Sequence, residues 1–398
     1  MDIKDIKNYQ EALEYHSNPC PGKLSVSVSK DVNQDTLSLA YTPGVAAPCL
    51  EIYKSPEKVY NYTNKGNTVG IITNGSAVLG LGNIGVLASK PVMEGKAILL
   101  KKFVNIDAFD VLVDTQDVND FISTVSNISL TFGAINLEDI KAPDCFIIEE
   151  KLQEKVNIPI FHDDQHGTAV VLAAAMLNAL EIQNKKIENV KIVINGAGAA
   201  GIACANLLLD LGVALDQIFL CDSLGLINSG RRKNMNIWKE KFMQEGEGIF
   251  SLKDVLKGAD IFVGLSVGNI FDKEMVMNMN RNSSIFAMAN PIPEVNPNFV
   301  NSLRKDMIVA TGRSDYLNQV NNLLAFPYIL KSALDTRVPR ITTQMKITAS
   351  KSIAKIAKSY SDFGKKYILP NPFDSSLMGL VRDISDAAFQ EKIINKKI

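Results

Sequence analysis

The stretch "VKIVINGAGAAGIACANLLLDLG", Val190 to Gly212, constrains this chain more than any other. A short apolar run rich in Ile and Val meets G-x-G-x-x-G, and an unbroken helical pattern follows. Gly196, Gly198 and Gly201 carry the motif, with Ala197, Ala199 and Ala200 between them. In that context the first glycine makes the turn and the second lets backbone approach a pyrophosphate. The third lets helix and strand pack closely, and the helix N-terminus faces the phosphates. A second strand-like run ends in Asp222, 21 residues past Gly201, where a carboxylate would hold ribose hydroxyls. Asp222 favours NAD; Arg231 and Arg232, close behind, keep NADP open.

Similar runs continue the rhythm: "QIFLCD", "ADIFVGL", "SSIFAMAN" and "MIVATG". Short, apolar and β-branched, they suit strands buried on both faces. The fold class is therefore α/β, with a doubly wound parallel sheet in a Rossmann-like dinucleotide-binding domain over residues 161–398. Residues 1–160 lack that regular strand–helix rhythm and read as a separate mixed α/β domain for substrate and metal. A length of 398 residues accommodates two such cores. The helix between the two parts is predicted over Thr168–Ile182, with Thr168 as its cap.

The glycine pattern also occurs in "GLGNIG", Gly80 to Gly85, with Asp107 as a distant acid. Pro91 follows closely, so any helix after this copy is predicted to be short or broken. It reads as a turn that lets backbone approach a ligand or another strand.

Two acidic pairs stand apart: Glu138 and Asp139 in "NLEDIKAP", and Asp163 and Asp164 in "FHDDQHGT". Neighbours on a strand point to opposite faces, so Glu138 and Asp139 can share an ion only at a strand end or turn. Clustered carboxylates suit Mg²⁺ or Mn²⁺ better than zinc. Spacing alone leaves open a plainer reading, solvated turns and a helix cap. His162 and His166 are expected to be satisfied structural histidines.

Lys+Arg number 42 and Asp+Glu 43, a net charge of −1 that disfavours nucleic acid as a partner. Five scattered cysteines without a C-x-x-C pair fit reduced thiols and a cytoplasmic setting. The charged opening "MDIKDIKNYQ" does not read as a signal peptide. The longest apolar run, Ala169–Leu180, is too short for a membrane span.

Seven blocks, in order, resemble the compact bacterial malic enzymes over nearly the whole chain. They are "LAYTPGVA", "TNGSAVLGLGNIGVLASKPVMEGKA", "INLEDIKAPDCF", "PIFHDDQHGTAVV", "NGAGAAGIA", "FAMANPIPE" and "ATGRSDYLNQVNNLLAFP". The resemblance implies oxidative decarboxylation of (S)-malate to pyruvate and CO2, with reduction of NAD(P), Mg²⁺ or Mn²⁺, and a homodimer. It implies Tyr41 as general acid and Lys96 as general base, both against the substrate. For the metal it implies Glu138, Asp139 and Asp164, with Asp163 beside them or near Lys96. Asn290 and Asn322 would contact substrate and the nicotinamide end, with Asn321 an alternative to Asn322. As a base, Lys96 needs a pKa lowered by burial and a nearby cation.

Two departures stand out. Ala77 replaces an arginine of larger relatives, which leaves the substrate carboxylates without that partner. Leu224 replaces a lysine common after the second strand, which adds to the lean toward NAD. Rival readings are a malolactic enzyme, which yields lactate with NAD kept bound, an amino-acid dehydrogenase, and a non-catalytic nucleotide-binding protein.

Overall fold

The structure, a computed structural model, describes residues 8–78 and 80–395; most of the charged opening segment therefore lies outside the described residues. Four short helices come first: α1 (Tyr9–Ser17), α2 (Leu37–Ala40), α3 (Ala46–Lys54) and α4 (Val59–Tyr62). None of them buries a residue.

Strands and helices then alternate strictly: β1 (Thr68–Thr73), α5 (Lys90–Val104), β2 (Asp107–Leu112) and α6 (Val118–Ile128). The pattern continues through β3 (Ala134–Leu137), α7 (Asp144–Lys155) and β4 (Ile160–His162). These strands form an all-parallel sheet in the order β2-β1-β3-β4. The first part is thus more regular than its sequence suggests. Two crossover helices, α5 and α7, carry charged residues and a weak apolar stripe, which hides their period. Pro91 does not break α5. It sits in the first helical turn, where a missing N–H costs nothing and a fixed φ helps.

Helix α8 (Asp163–Ile182) starts directly from β4. Its first residue is Asp163 and its N-cap is His162, so Thr168 lies inside the helix and caps nothing. The acidic pair supplies the negative charge that the first turn favours, five residues before the predicted start.

The second sheet is built from β5 (Ile192–Asn195), α9 (Ala199–Asp210), β6 (Ile218–Asp222) and β7 (Gly225–Leu226). After α10 (Ile237–Glu240) and α11 (Leu252–Val255) come β8 (Ile261–Gly264), α12 (Lys273–Asn278) and β9 (Ser284–Ala287). Helix α13 (Pro297–Leu303) and β10 (Ile308–Thr311) complete it in the order β10-β9-β8-β5-β6-β7. Only the β6–β7 pair is antiparallel. Chain order reverses beside β5, so a crevice opens at the carboxyl ends of β5 and β8.

Three helices close the chain: α14 (Phe326–Thr336), α15 (Thr343–Lys358) and α16 (Gly379–Asn395). Helix α14 returns to the first sheet and packs on α5 and β3, while α15 packs on α8. One apolar core therefore runs from Val69 and Ile71 through Val171 and Met176 to Ile194 and Ile353. A smaller core, including Phe262, Ile285 and Val300, fills the other face of the second sheet. Among the described residues no helix is long and apolar enough to cross a membrane.

Candidate active site

Parallel strands deliver the acidic pairs to one place. Leu137 of β3 pairs with His162 of β4, the last residue of each strand. The next residues, Glu138–Asp139 and Asp163–Asp164, therefore leave the same edge of the sheet. Asp139 has φ 54°, a left-handed turn that redirects its side chain just past the strand end. Its backbone N–H donates to Asp164 Oδ2 at 2.9 Å, and its carbonyl accepts from Ala77 N–H at 2.9 Å. One carboxylate oxygen from each of Glu138, Asp139 and Asp164 lies within 4.8 Å of the others. Ligands about 2.1 Å from one octahedral ion stand roughly 3 to 4 Å apart, so this all-oxygen set fits a hard divalent cation.

Lys96 approaches from α5. Its ammonium donates to Asp163 Oδ2 and lies 3.0 Å from Glu138 Oε1, with the Phe326 ring 4.6 Å away. Burial works to lower the Lys96 pKa, but the carboxylates of Asp163, Glu138 and Asp164 outweigh it and hold it above its ordinary value. This reverses the lowering that a base requires, because an acidic cage surrounds the ammonium. Burial raises the Glu138 carboxyl well above its ordinary range, and neighbouring acids add to it. Burial likewise raises Asp163, against the pull of Lys96.

Asn322 Nδ2 donates to Asp163 Oδ2 at 2.6 Å. Asn321 instead accepts from Leu323 N–H and caps its own short turn. Of the two, only Asn322 joins the cluster. His166 is satisfied as expected, with Nε2 2.8 Å from Glu149 Oε1. His162 is not: it is fully buried, and neither ring nitrogen has a hydrogen-bond partner. Its Nδ1 stands 3.9 Å from Asp164 Oδ2. Burial lowers its pKa, so the neutral ring is favoured.

Across the crevice, the turn Gly196–Gly201 leads from β5 into α9, which begins at Ala199. A Cβ at Gly196 would collide with Leu265 O, and one at Gly201 with Gly196 O. Nothing lies within 4 Å of a Cβ added to Gly198, where a pyrophosphate would approach the backbone. Ala197 and Ala200 complete the turn, a cradle that fits a dinucleotide. Asp222 ends β6, but its Oδ2 already accepts from Arg231 Nη2 at 2.5 Å, Lys239 Nζ at 2.8 Å and Asn234 Nδ2 at 3.0 Å. Burial pushes its pKa up, yet Arg231, Lys239 and the Leu224 N–H hold it below the ordinary value.

Asn290 follows β9 and is exposed on the crevice side. The loop "GLGNIG" reaches it: a Cβ at Gly80 would collide with Asn290 O. The first glycine pattern thus lets backbone of the first part touch backbone of the second. Buried Glu294 was singled out by no motif, yet it ties this loop down. Its carboxylate accepts from Ser266 N–H at 3.1 Å and Ala289 N–H at 3.0 Å. Phe326 and Gly167 are further neighbours of the cluster that spacing did not reveal, because only the packing of α14 and α8 brings them there. Tyr41 is not brought to Lys96. It caps α2 with 70% of its surface exposed.

A cavity of about 460 Å³ lies between α7, α8, α9 and α15, lined by Glu149, Gln165, His166, Trp238 and Lys346 among others. None of Lys96, Glu138, Asp139, Asp163 and Asp164 lines it.

Comparison with known proteins agrees with this layout. Residues 21–153 match the family model of the malic enzyme N-terminal domain, and residues 165–377 that of the malic enzyme NAD binding domain. The chain is 52% identical over 395 residues to a probable NADP-dependent malic enzyme of Rickettsia prowazekii, covering 96% of this chain and 51% of that protein. It is 50% identical over 404 residues to an NADP-dependent malic enzyme of Escherichia coli, covering 98% and 53%. The chain thus spans about half the length of these curated relatives. The crystal structure of malic enzyme from Pyrococcus horikoshii superposes with a TM-score of 0.90 at 40% identity, covering 96% of this chain and 91% of that one.

Proposed function

Because this chain belongs to the malic enzyme family, we propose that it converts (S)-malate to pyruvate and CO2 while reducing a nicotinamide dinucleotide. The observation that carries the reading is the contact of Lys96 with Asp163 and Glu138, beside the carboxylates of Glu138, Asp139 and Asp164. When bound there, a divalent cation supplies a Lewis acid for the substrate's hydroxyl and C1 carboxylate and offsets the negative charge that keeps Lys96 protonated.

Glu138, Asp139 and Asp164 are the ligands in this reading. Lys96, once deprotonated, takes the C2 hydroxyl proton, and a bound nicotinamide would supply the acceptor for the C2 hydride. Asp163 and Asn322 orient Lys96, and Asp163 receives or returns its proton. The C3–C4 bond then breaks with loss of CO2, and Tyr41 gives a proton to C3. Asn290, in the loop that Glu294 anchors, is assigned the contact with substrate and the nicotinamide end in this reading. With Ala77 in place of an arginine, the substrate carboxylate far from Lys96 falls to other groups of the crevice. Arg313, which donates to Pro291 O at 2.8 Å beside Asn290, is a cation placed on that loop.

We assign NADP rather than NAD as the preferred dinucleotide. Asp222 Oδ2 is taken by Arg231, Lys239 and Asn234, and the two cations suit a 2′-phosphate. We place the protein in the cytoplasm, in keeping with five free cysteines among the described residues. Residues 1–160 and 161–398 remain our division into metal-site and dinucleotide-binding parts.

The test is an assay of malate with NAD or NADP, with and without Mn²⁺, following nicotinamide absorbance and identifying the product. Pyruvate with net reduced NADP, dependent on Mn²⁺, is expected. Lactate without net reduction would replace the reading with malolactic conversion. Dinucleotide binding without turnover would leave a binding protein.

A further inference from the structure

Glu294 is fully buried, and its charge is offset by backbone N–H groups alone, those of Ser266, Ala289 and Glu294 itself. Burial raises its pKa against those donors. A buried carboxylate without a cation beside it costs stability, so stability does not explain its presence.

The two oxygens of this side chain are divided between two loops. Oε1 accepts from Ser266 N–H, just past β8, and Oε2 accepts from Ala289 N–H, just past β9. Strand β8 ends in Gly264, where a Cβ would stand 2.2 Å from the Glu294 carboxyl carbon. Only glycine admits the carboxylate between the two strand ends.

Each loop then reaches one half of the site. Ser266 Oγ accepts from Asn195 Nδ2 at 2.7 Å, and Asn195 is the last residue before the Gly196 turn. Leu265 packs so closely on that turn that a Cβ at Gly196 would stand 2.4 Å from Leu265 O. On the other side, Ala289 is followed directly by Asn290. One carboxylate therefore spans from the dinucleotide cradle to the residue assigned to substrate.

We propose that Glu294 is a positioning residue for hydride transfer, which fixes Asn290 against the dinucleotide turn so that substrate C2 meets a bound nicotinamide at reacting distance. The proposal rests on the malic enzyme reading of the site. Glu294 acts through Ser266 and Asn290 and touches neither reactant. A carboxylate suits the task because it offers one acceptor to each loop. Glutamine would offer one oxygen and turn an NH2 group toward the other N–H.

The experiment compares wild type, Glu294→Gln and Glu294→Asp in two reactions with Mn²⁺. One is malate oxidation with NADP. The other is decarboxylation of added oxaloacetate, which uses the metal site but needs no hydride transfer. Glu294→Gln should lower kcat for malate oxidation on the order of 100-fold, the cost of roughly 1 Å at a reacting centre. Oxaloacetate decarboxylation should fall far less, and NADP affinity, read by Trp238 fluorescence, should stay near the wild-type value. Glu294→Asp keeps both acceptor oxygens on a shorter stem and should recover part of the lost kcat.

Should Glu294→Gln fail to fold, Ser266→Ala replaces it. That change keeps the N–H bound by Glu294 and removes the tie to Asn195. It should again lower malate oxidation more than oxaloacetate decarboxylation. Equal losses in the two reactions would overturn the proposal, since Glu294 would then support the fold and not the meeting of the reactants. Wild-type malate turnover in Glu294→Gln would overturn it as well. A wild-type chain that turned over neither malate nor oxaloacetate would instead remove the malic enzyme reading, and the proposal with it.

Discussion

A Cβ placed on Gly167 would overlap Asp163 Oδ1 one helical turn earlier, so only glycine leaves that carboxylate where Lys96 and Asn322 hold it. Gly167→Ala should therefore displace Asp163 rather than merely stiffen α8. A shift of about 1 Å at such a cluster costs on the order of 100-fold in turnover. Overpacking adds roughly 1–3 kcal/mol of destabilisation. Steady-state kinetics with a thermal melt would check both; an unchanged kcat would mean that Asp163 does not set Lys96.

Asp164 is the most accessible of the three clustered carboxylates. Its replacement by Ala should weaken Mn²⁺ binding by at least the 10- to 100-fold typical of losing even a supporting group around a metal. Titration calorimetry with Mn²⁺ reads this directly. Dinucleotide binding, followed by quenching of the single tryptophan, Trp238, should stay at the wild-type level.

Arg231 holds Asp222 at the end of β6, and the NADP assignment rests on it. Arg231→Ala should raise KM for NADP by about tenfold or more, the worth of a charge-assisted hydrogen bond, and leave KM for NAD nearly unchanged. Equal effects on the two dinucleotides would return the assignment to NAD.

Asp306 lies far from the reaction. Arg304 donates to both of its carboxylate oxygens and also to Val276 O and Met279 O at the end of α12. Those hydrogen bonds hold the Asp306 pKa at about 2, against an ordinary value of 3.8. A folded-state pKa below the unfolded one gives stability that is present above the unfolded value. It is lost as pH falls through the folded one. The urea midpoint should therefore drop between about pH 4 and pH 2, and Asp306→Asn should flatten that part of the profile.

The second sheet was legible because each of its central strands is a short buried run and the glycine turn admits few alternatives. The first sheet was less so. Pro91 looks like a helix breaker until its place in the first turn of α5 is known. Thr168 looks like a cap until Asp163 begins the helix. Glu138, Asp139 and Asp164 were found as types, but only the register of β3 with β4 puts them together. The acidic cage that keeps Lys96 protonated was not legible from spacing, since it depends on three elements meeting; only the resemblance put Asp163 near Lys96. Asn321 and Asn322 differ only in which one the turn consumes as a cap.

The two family models stop at residue 153 and resume at residue 165, which makes the chain look like two interchangeable cassettes. Helix α8 denies that. It starts among the acidic residues of the first sheet, buries most of its length, and holds the far end of the chain through Asn178, which donates to Ala354 O and Ile368 O. A chimera joined at that seam would keep α8 with its own α9 and α15 but set its acidic start against the other parent's first sheet, whereas one joined after α8 would set that helix against the other parent's α9 and α15. Recombination within this family should therefore succeed when α8 travels together with the C-terminal helices, and fail when the crossover parts them.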